Sequence, residues 1–157
     1  MDILIADDDQ VLANLLSARL RKLGYKTVVA FDAMQAVMLA MKVIPAAVLL
    51  DLGMPGGTGI EVLRRLRSSN RTSTVPIVVL TGTIESDMGD RVLEMGADAF
   101  FKKPLDFEEI EATLRRLIDD SGVKHMGFTA PGTAHGDGQL SRVNATGAPG
   151  GSSQKTR

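Results

Sequence analysis

Five short apolar runs punctuate the chain: Ile3 to Ala6, Thr27 to Phe31, Ala47 to Leu50, Ile77 to Leu80 and Ala99 to Phe101. They are continuous rather than alternating, the pattern of strands covered on both faces of a parallel sheet. Helical spacing fills the gaps between them. In the first gap Leu12, Leu15, Leu16, Leu20 and Leu23 form one stripe, with Asp9 placed to cap its start and Gly24 to stop it. A second helix is expected from about Ala33 to Lys42, led by Asp32 and ending before Pro45; its recurring Met34, Met38 and Met41 read as core filling. A third follows Gly59, with Val62, Leu63 and Leu66 inward and Arg64, Arg65 and Arg67 outward. These arginines and Arg71 read as a solvated face with no functional role. A fourth covers roughly Ser86 to Met95 and closes at Gly96. The fifth starts at Asp106, which with Glu109 makes a capping-box-like pair, and turns Ile110, Leu114, Leu117 and Ile118 inward.

Five strands alternating with five helices specify an α/β sandwich, because parallel strands need right-handed crossovers and the helices must cover both faces. The doubly wound, flavodoxin-like order 2-1-3-4-5 fits five strands, and ligands bind such sheets beyond the carboxyl ends of the strands at the switch point. Past Asp120 the chain turns to Gly, Ser, Thr, Ala and Pro with scattered apolar residues. Such a stretch buries too little surface to offset its ordering entropy. The expected organisation is one folded domain over residues 1–121 and a flexible, low-complexity tail or linker over 122–157.

Composition narrows the chemistry. The 157 residues carry a formal net charge of −1 and no cysteine, which excludes disulfides and thiolate chemistry and is compatible with a reducing cytoplasm. Neither a leader nor an apolar segment of the ~20 residues that span a bilayer is evident, so a cytoplasmic protein without membrane contact is expected. His125 and His135, the two histidines, fall in the tail, which removes imidazole from the folded part's chemistry.

What remains at the strand ends is acidic. The segment "ILIADDDQVL" ends an apolar run in Asp7, Asp8 and Asp9, and Asp51 ends the third run. Clustered carboxylates repel one another and each is costly to dehydrate, so the site calls for a cation. Oxygen ligands without sulfur or imidazole suit Mg2+. Thr81 offers a hydroxyl to a phosphoryl oxygen, and Lys103, before Pro104, a second positive charge. Asp9 reads instead as a helix cap.

These positions resemble the receiver domain of bacterial response regulators. The resemblance runs from Met1 to Asp120 and rests on Asp7-Asp8, on "LLDLGMPGGTG" around Asp51, on "VVLTG" at Thr81 and on "FFKKP" at Lys103. It implies phosphoryl transfer from the phosphohistidine of a sensor histidine kinase or phosphotransfer protein to Asp51. It also implies Mg2+ held by Asp8, Asp51 and the Gly53 carbonyl, with Asp7 acting mostly through water. Lys103 would pair with the phosphoryl group, aimed by a cis peptide before Pro104, and Gly82 would leave the anhydride accessible. Thr81 would then move toward the phosphoryl oxygens and let Phe100 turn inward as a switch. Gly53 and Thr83, at positions that in the family influence acyl-phosphate hydrolysis, offer no acid or amide to orient water. Phe100 stands where tyrosine is frequent.

Two other readings are consistent with parts of the pattern. "DDDQV" satisfies the motif of haloacid-dehalogenase phosphatases, with Asp7 as nucleophile and Asp9 as acid, but that leaves Asp51 idle and finds no cap insertion. A receiver-like module that binds partners without phosphorylation is the other, and the complete set of acid, hydroxyl and lysine argues against it. No phosphate-binding P-loop follows any strand. The expectation is therefore a switch rather than a classical enzyme, self-phosphorylating and autodephosphorylating only. Its surface would contact a downstream target protein and no nucleic acid, with room for a phosphorylation-dependent homodimer.

Overall fold

The computed structural model describes residues 1–82 and 86–125, the last three by backbone alone. The elements follow one another as β1 (Asp2–Ala6), α1 (Gln10–Lys22), β2 (Lys26–Ala30), α2 (Ala33–Val43), β3 (Ala47–Asp51), α3 (Gly59–Ser68), β4 (Ile77–Thr81), α4 (Met88–Glu94), β5 (Ala99–Lys102) and α5 (Phe107–His125). The strands form one sheet in the order β2-β1-β3-β4-β5, parallel at every pairing. This is the doubly wound order expected from the sequence. α5 continues through residues 122–125, which the sequence assigns to the tail, so His125 belongs to a helix; from residue 126 on the expected tail lies outside the described residues.

The apolar runs are continuous because each strand feeds two cores in alternation. Ile3, Ile5, Leu49, Val78 and Leu80 point to the side covered by α1 and α5, where Leu16, Leu20, Ile110, Leu114 and Ile118 meet them. Leu4, Ala6, Val48, Leu50, Ile77 and Val79 point to the side covered by α2, α3 and α4. β3 and β4 are buried throughout, whereas β2 and β5 are half-exposed edges. No described helix is long and apolar enough to cross a membrane.

Helix boundaries follow local chemistry. Asp9 Oδ1 accepts the N–H groups of Val11 and Leu12 and starts α1. Gly24 (φ 89°) ends it, with bonds from Gly24 N to Arg21 O and from Tyr25 N to Leu20 O that close the turn. Asp106 Oδ1 accepts Glu108 N and Glu109 N ahead of α5. A reciprocal capping box sits at α3 instead, between Thr58 and Glu61.

Three expectations fail. Leu15 and Leu23 are exposed, because the face of α1 on the sheet is Ala13, Leu16, Ser17 and Leu20; the small residues allow close approach and Ser17 Oγ meets Thr27 Oγ1 at 2.7 Å. Met34 and Met38 do not fill the core: α2 lays Ala33, Ala36 and Ala40 on the sheet and turns those two methionines outward, with Met41 alone packed against the core. Arg67 is no solvated residue. Its guanidinium reaches Gly96 O (2.7 Å), Val75 O (2.8 Å), Ser73 O (3.2 Å) and Asp98 Oδ2 (2.8 Å). Asp98 Oδ2 in turn accepts Ile77 N, so one side chain ties α3 to the starts of β4 and β5.

Candidate functional site

Where β1 and β3 end at the switch point, their last side chains meet. Asp7 follows β1, its N–H bonded to Ala30 O, and Asp51 is the last residue of β3. Each carboxylate is turned by a neighbouring amide: Asp9 N donates to Asp7 Oδ1 at 2.9 Å, and Gly53 N to Asp51 Oδ2 at 3.1 Å. Asp8 lies beside them, exposed, and one oxygen from each of Asp7, Asp8 and Asp51 falls within 4.8 Å of the others. Asp9 stands apart from this cluster, its Oδ1 committed to the start of α1.

Lys103 follows the edge strand β5 and reaches back over the sheet. Its backbone N–H bonds Thr81 O at 2.8 Å, its peptide to Pro104 is cis, and its Nζ lies 3.1 Å from Asp7 Oδ2 and 3.2 Å from Asp51 Oδ1. Burial works against the ammonium, but the Asp51 and Asp7 charges together with their hydrogen bonds outweigh it and hold its pKa above the ordinary lysine value. Burial, reinforced by Asp51, pushes the Asp7 carboxyl above the usual range, against the pull of the Asp9 N–H and Lys103. Three carboxylates against one ammonium leave the cluster short of positive charge. An all-oxygen, strongly anionic donor set with one solvent-facing member fits a hard divalent cation that retains water ligands, so the residues present fit Mg2+.

Thr81 closes β4, buried beside this group, and Gly82 follows it at the surface. Thr83 lies outside the described residues. Gly59 was not singled out in the sequence as more than a helix start, yet it is what lets α3 begin against the end of β3. Its N–H bonds Leu52 O, and a Cβ there would sit 2.6 Å from Leu52 Cα. Phe100 is half-buried on the α4 side of β5, its ring seated on Gly89: a Cβ at that glycine would lie 2.9 Å from Phe100 Cε1. The ring lines a groove of about 420 Å3 with Leu93 and Lys102. Gly89 too carried no signal in the sequence, since what it accommodates, the Phe100 ring, comes from the neighbouring strand β5.

Comparison with known proteins agrees with this geometry. The response regulator receiver domain family matches residues 3–115. The DNA-binding response regulator MtrA of Mycobacterium tuberculosis is 44% identical over 118 residues, covering 74% of this chain and 50% of MtrA. The DNA-binding dual master transcriptional regulator RpaA of Synechocystis is 35% identical over 116 residues, covering 74% of this chain and 48% of RpaA. The chain thus spans about half the length of the curated relatives it matches. Among solved structures, the receiver domain of a sensor histidine kinase from Pseudomonas aeruginosa PAO1, with a magnesium ion coordinated in its active-site cleft, superposes with a TM-score of 0.69 at 30% identity over 75% of this chain and 97% of that one. The sheet order, the acidic cluster at its switch point and the match over residues 3–115 agree: the chain belongs to the response regulator receiver domain family of two-component signalling.

Proposed function

We propose that the chain accepts a phosphoryl group on Asp51 from the phosphohistidine of a sensor kinase or phosphotransfer protein and signals through its own surface to a downstream protein. The observation that carries this reading is the Lys103 ammonium shared between Asp7 and Asp51, with Asp8 completing the acidic ring. Attack by an Asp51 carboxylate oxygen on phosphorus forms a P–O bond as the P–N bond to imidazole breaks; the imidazole keeps the electron pair, and Asp51 becomes a mixed anhydride. Mg2+ held by Asp8, Asp51 and the Gly53 carbonyl, with Asp7 through water, would supply positive charge at the phosphoryl oxygens. Lys103 moves from its carboxylate partners toward the transferred group and holds its charge. Thr81 donates its hydroxyl to a phosphoryl oxygen, and the space it leaves admits Phe100 further into the β5 and α4 seam. The added charge biases an equilibrium that the unmodified chain already samples.

The hydrolase alternative draws less support, because the Oδ1 of Asp9, its acid, accepts two N–H groups at the start of α1 and Asp9 is not in the acidic cluster. The phosphorylation reading is tested by incubating the chain with acetyl phosphate or phosphoramidate and Mg2+ and mapping the adduct by mass spectrometry after borohydride trapping. One phosphoryl group at Asp51, lost in Asp51→Asn and in the absence of Mg2+, is expected. An adduct at Asp7, or none with any donor, would refute it. We further infer a cytoplasmic location, where the kinase's phosphohistidine would be met.

A further inference from the structure

α2 reverses the usual arrangement of a helix lying on a sheet. Only Gln35 and Lys42 are polar in its sequence AMQAVMLAMKV, and the side it lays inward is alanine. Met34 and Met38 stand 69% and 61% exposed. Lysine or glutamine at those positions would serve the helix as well and solvate better, so the fold itself does not call for methionine there.

α3 runs alongside, and the seam between the two helices is open. One depression of about 70 Å3 is lined by Met34, Val37, Glu61 and Arg65 among others, and a second of about 380 Å3 by Val37, Met41, Arg64, Arg65, Ser68 and Ser69. They share Val37 and Arg65 and so form one groove; Met38, exposed one turn on from Met34, lies at its edge and lines neither depression. The charges of the groove are uneven: α2 contributes no acid, and Glu61, whose Oε2 accepts the Thr58 N–H, is the one carboxylate in the lining against Arg64 and Arg65. Arg67 is tied to Asp98. Arg64 and Arg65 are exposed and carry no ion pair among the described residues.

We infer that the α2–α3 groove is a docking surface for an acidic amphipathic helix of a partner protein, whose apolar face covers Met34 and Met38 and whose carboxylates meet Arg64 and Arg65. Flexible, polarisable methionine side chains adapt to an inserted apolar face, and helix-in-groove recognition reads anchors at i, i+3, i+4 and i+7. A nucleic acid backbone would satisfy the arginines but leave the methionines in water. An uncharged apolar helix would cover the methionines but leave the arginines unpaired. Only a ligand that is both apolar and acidic answers the whole surface. No step at Asp51 is required, so the contact is measurable on the unphosphorylated chain.

The test uses the full chain with 13C-methyl-labelled methionine and two display libraries of helical peptides, one acidic and one basic, sharing the same leucine spacing. The acidic library should be enriched, and its binders should shift the Met34 and Met38 methyl signals. Charge reversal in Arg64→Glu/Arg65→Glu should weaken those binders about tenfold, more at low salt than at high. Arg64→Gln/Arg65→Gln, with circular dichroism as the check on folding, gives the same reading should the reversal disturb α3. The inference is overturned if acidic helices are not enriched over basic ones, if the two methyl signals stay in place, or if neutralising both arginines leaves affinity unchanged.

Discussion

Asp7 is the acid worst matched to its surroundings, and replacing it separates stability from function. The residue is 1% exposed, and its one cationic partner, Lys103, is shared with Asp51. A carboxyl whose folded pKa stands above its unfolded value destabilises the native state once ionised. The stability present in acid is lost as pH rises from the unfolded value of 3.8 through the folded one, so above the folded pKa metal-free protein bears the full penalty. Carboxylate oxygens within 4.8 Å of one another repel by at least about 3.5 kcal/mol at an effective dielectric of 20, and Lys103 at 3.1 Å returns about 5 kcal/mol, shared with Asp51. The uncompensated remainder is dehydration, several kcal/mol for a bare ion and partly offset here by the Asp9 N–H. Asp7→Asn keeps the shape and that hydrogen bond and removes the charge. It should stabilise metal-free protein by on the order of 1–2 kcal/mol. With one tyrosine and no tryptophan, urea melts followed by far-UV circular dichroism are the suitable assay. Mg2+ at tenfold its dissociation constant adds about 1.4 kcal/mol to the wild type and much less to the variant, so EDTA should favour the variant and Mg2+ should close the gap. A variant less stable in EDTA would mean that the Lys103 pair outweighs dehydration. Equal gains from Mg2+ would take Asp7 out of the metal site.

Gly59→Ala places a methyl 2.6 Å from Leu52 Cα; a loss of about 2–3 kcal/mol in urea melts and slower labelling of Asp51 by acetyl phosphate are expected. Arg67→Ala strands three carbonyls and Asp98 and should cost about 2–3 kcal/mol, while Arg64→Ala, in contact with solvent, should cost under about 0.5 kcal/mol in the same melts. Gly89→Ala gains up to about 1 kcal/mol of helix propensity but meets the Phe100 ring at 2.9 Å. It should therefore be stabilising in a Phe100→Ala background and neutral or destabilising with Phe100 present. Equal effects in both backgrounds would show that the ring does not rest on that glycine.

The strands, their order and the site acids were legible because each depends on a short-range pattern: an apolar run, then a charge where the run stops. Asp7, Asp51, Thr81 and Lys103 each sit where a strand ends or just beyond it, so topology alone brings them together. Helix orientation was less legible. Leucines at helical spacing named a stripe in α1, but alanine and serine decide which side can approach the sheet, and the same misreading placed Met34 and Met38 inside. Arg67 was opaque for another reason. Its partners lie as far as 31 residues away in loops, and its immediate neighbours Arg64 and Arg65, which remain exposed, resemble it in every local respect.

The uneven packing of the sheet says where a phosphoryl group added at Asp51 can have effect. β1, β3 and β4 are buried on both sides and hold Asp7 and Asp51 in place, so charge added there meets the most tightly packed part of the sheet. β5 is an edge, and α4 beside it spans seven residues, with no side-chain cap from Asp87 and a glycine under the Phe100 ring. The start of β5 is nonetheless fixed, because Arg67 and Asp98 bind it to α3 and β4. A strand anchored at one end, with Lys103 answering to the carboxylates just past the other, can shift only toward its carboxyl terminus, where Phe100 and Lys102 line the groove. Loosening the anchor through Arg67→Ala should therefore lower stability and also blunt the difference in Phe100 ring signals between free and beryllofluoride-treated protein. If that difference persists undiminished, the movement does not depend on a fixed start to β5.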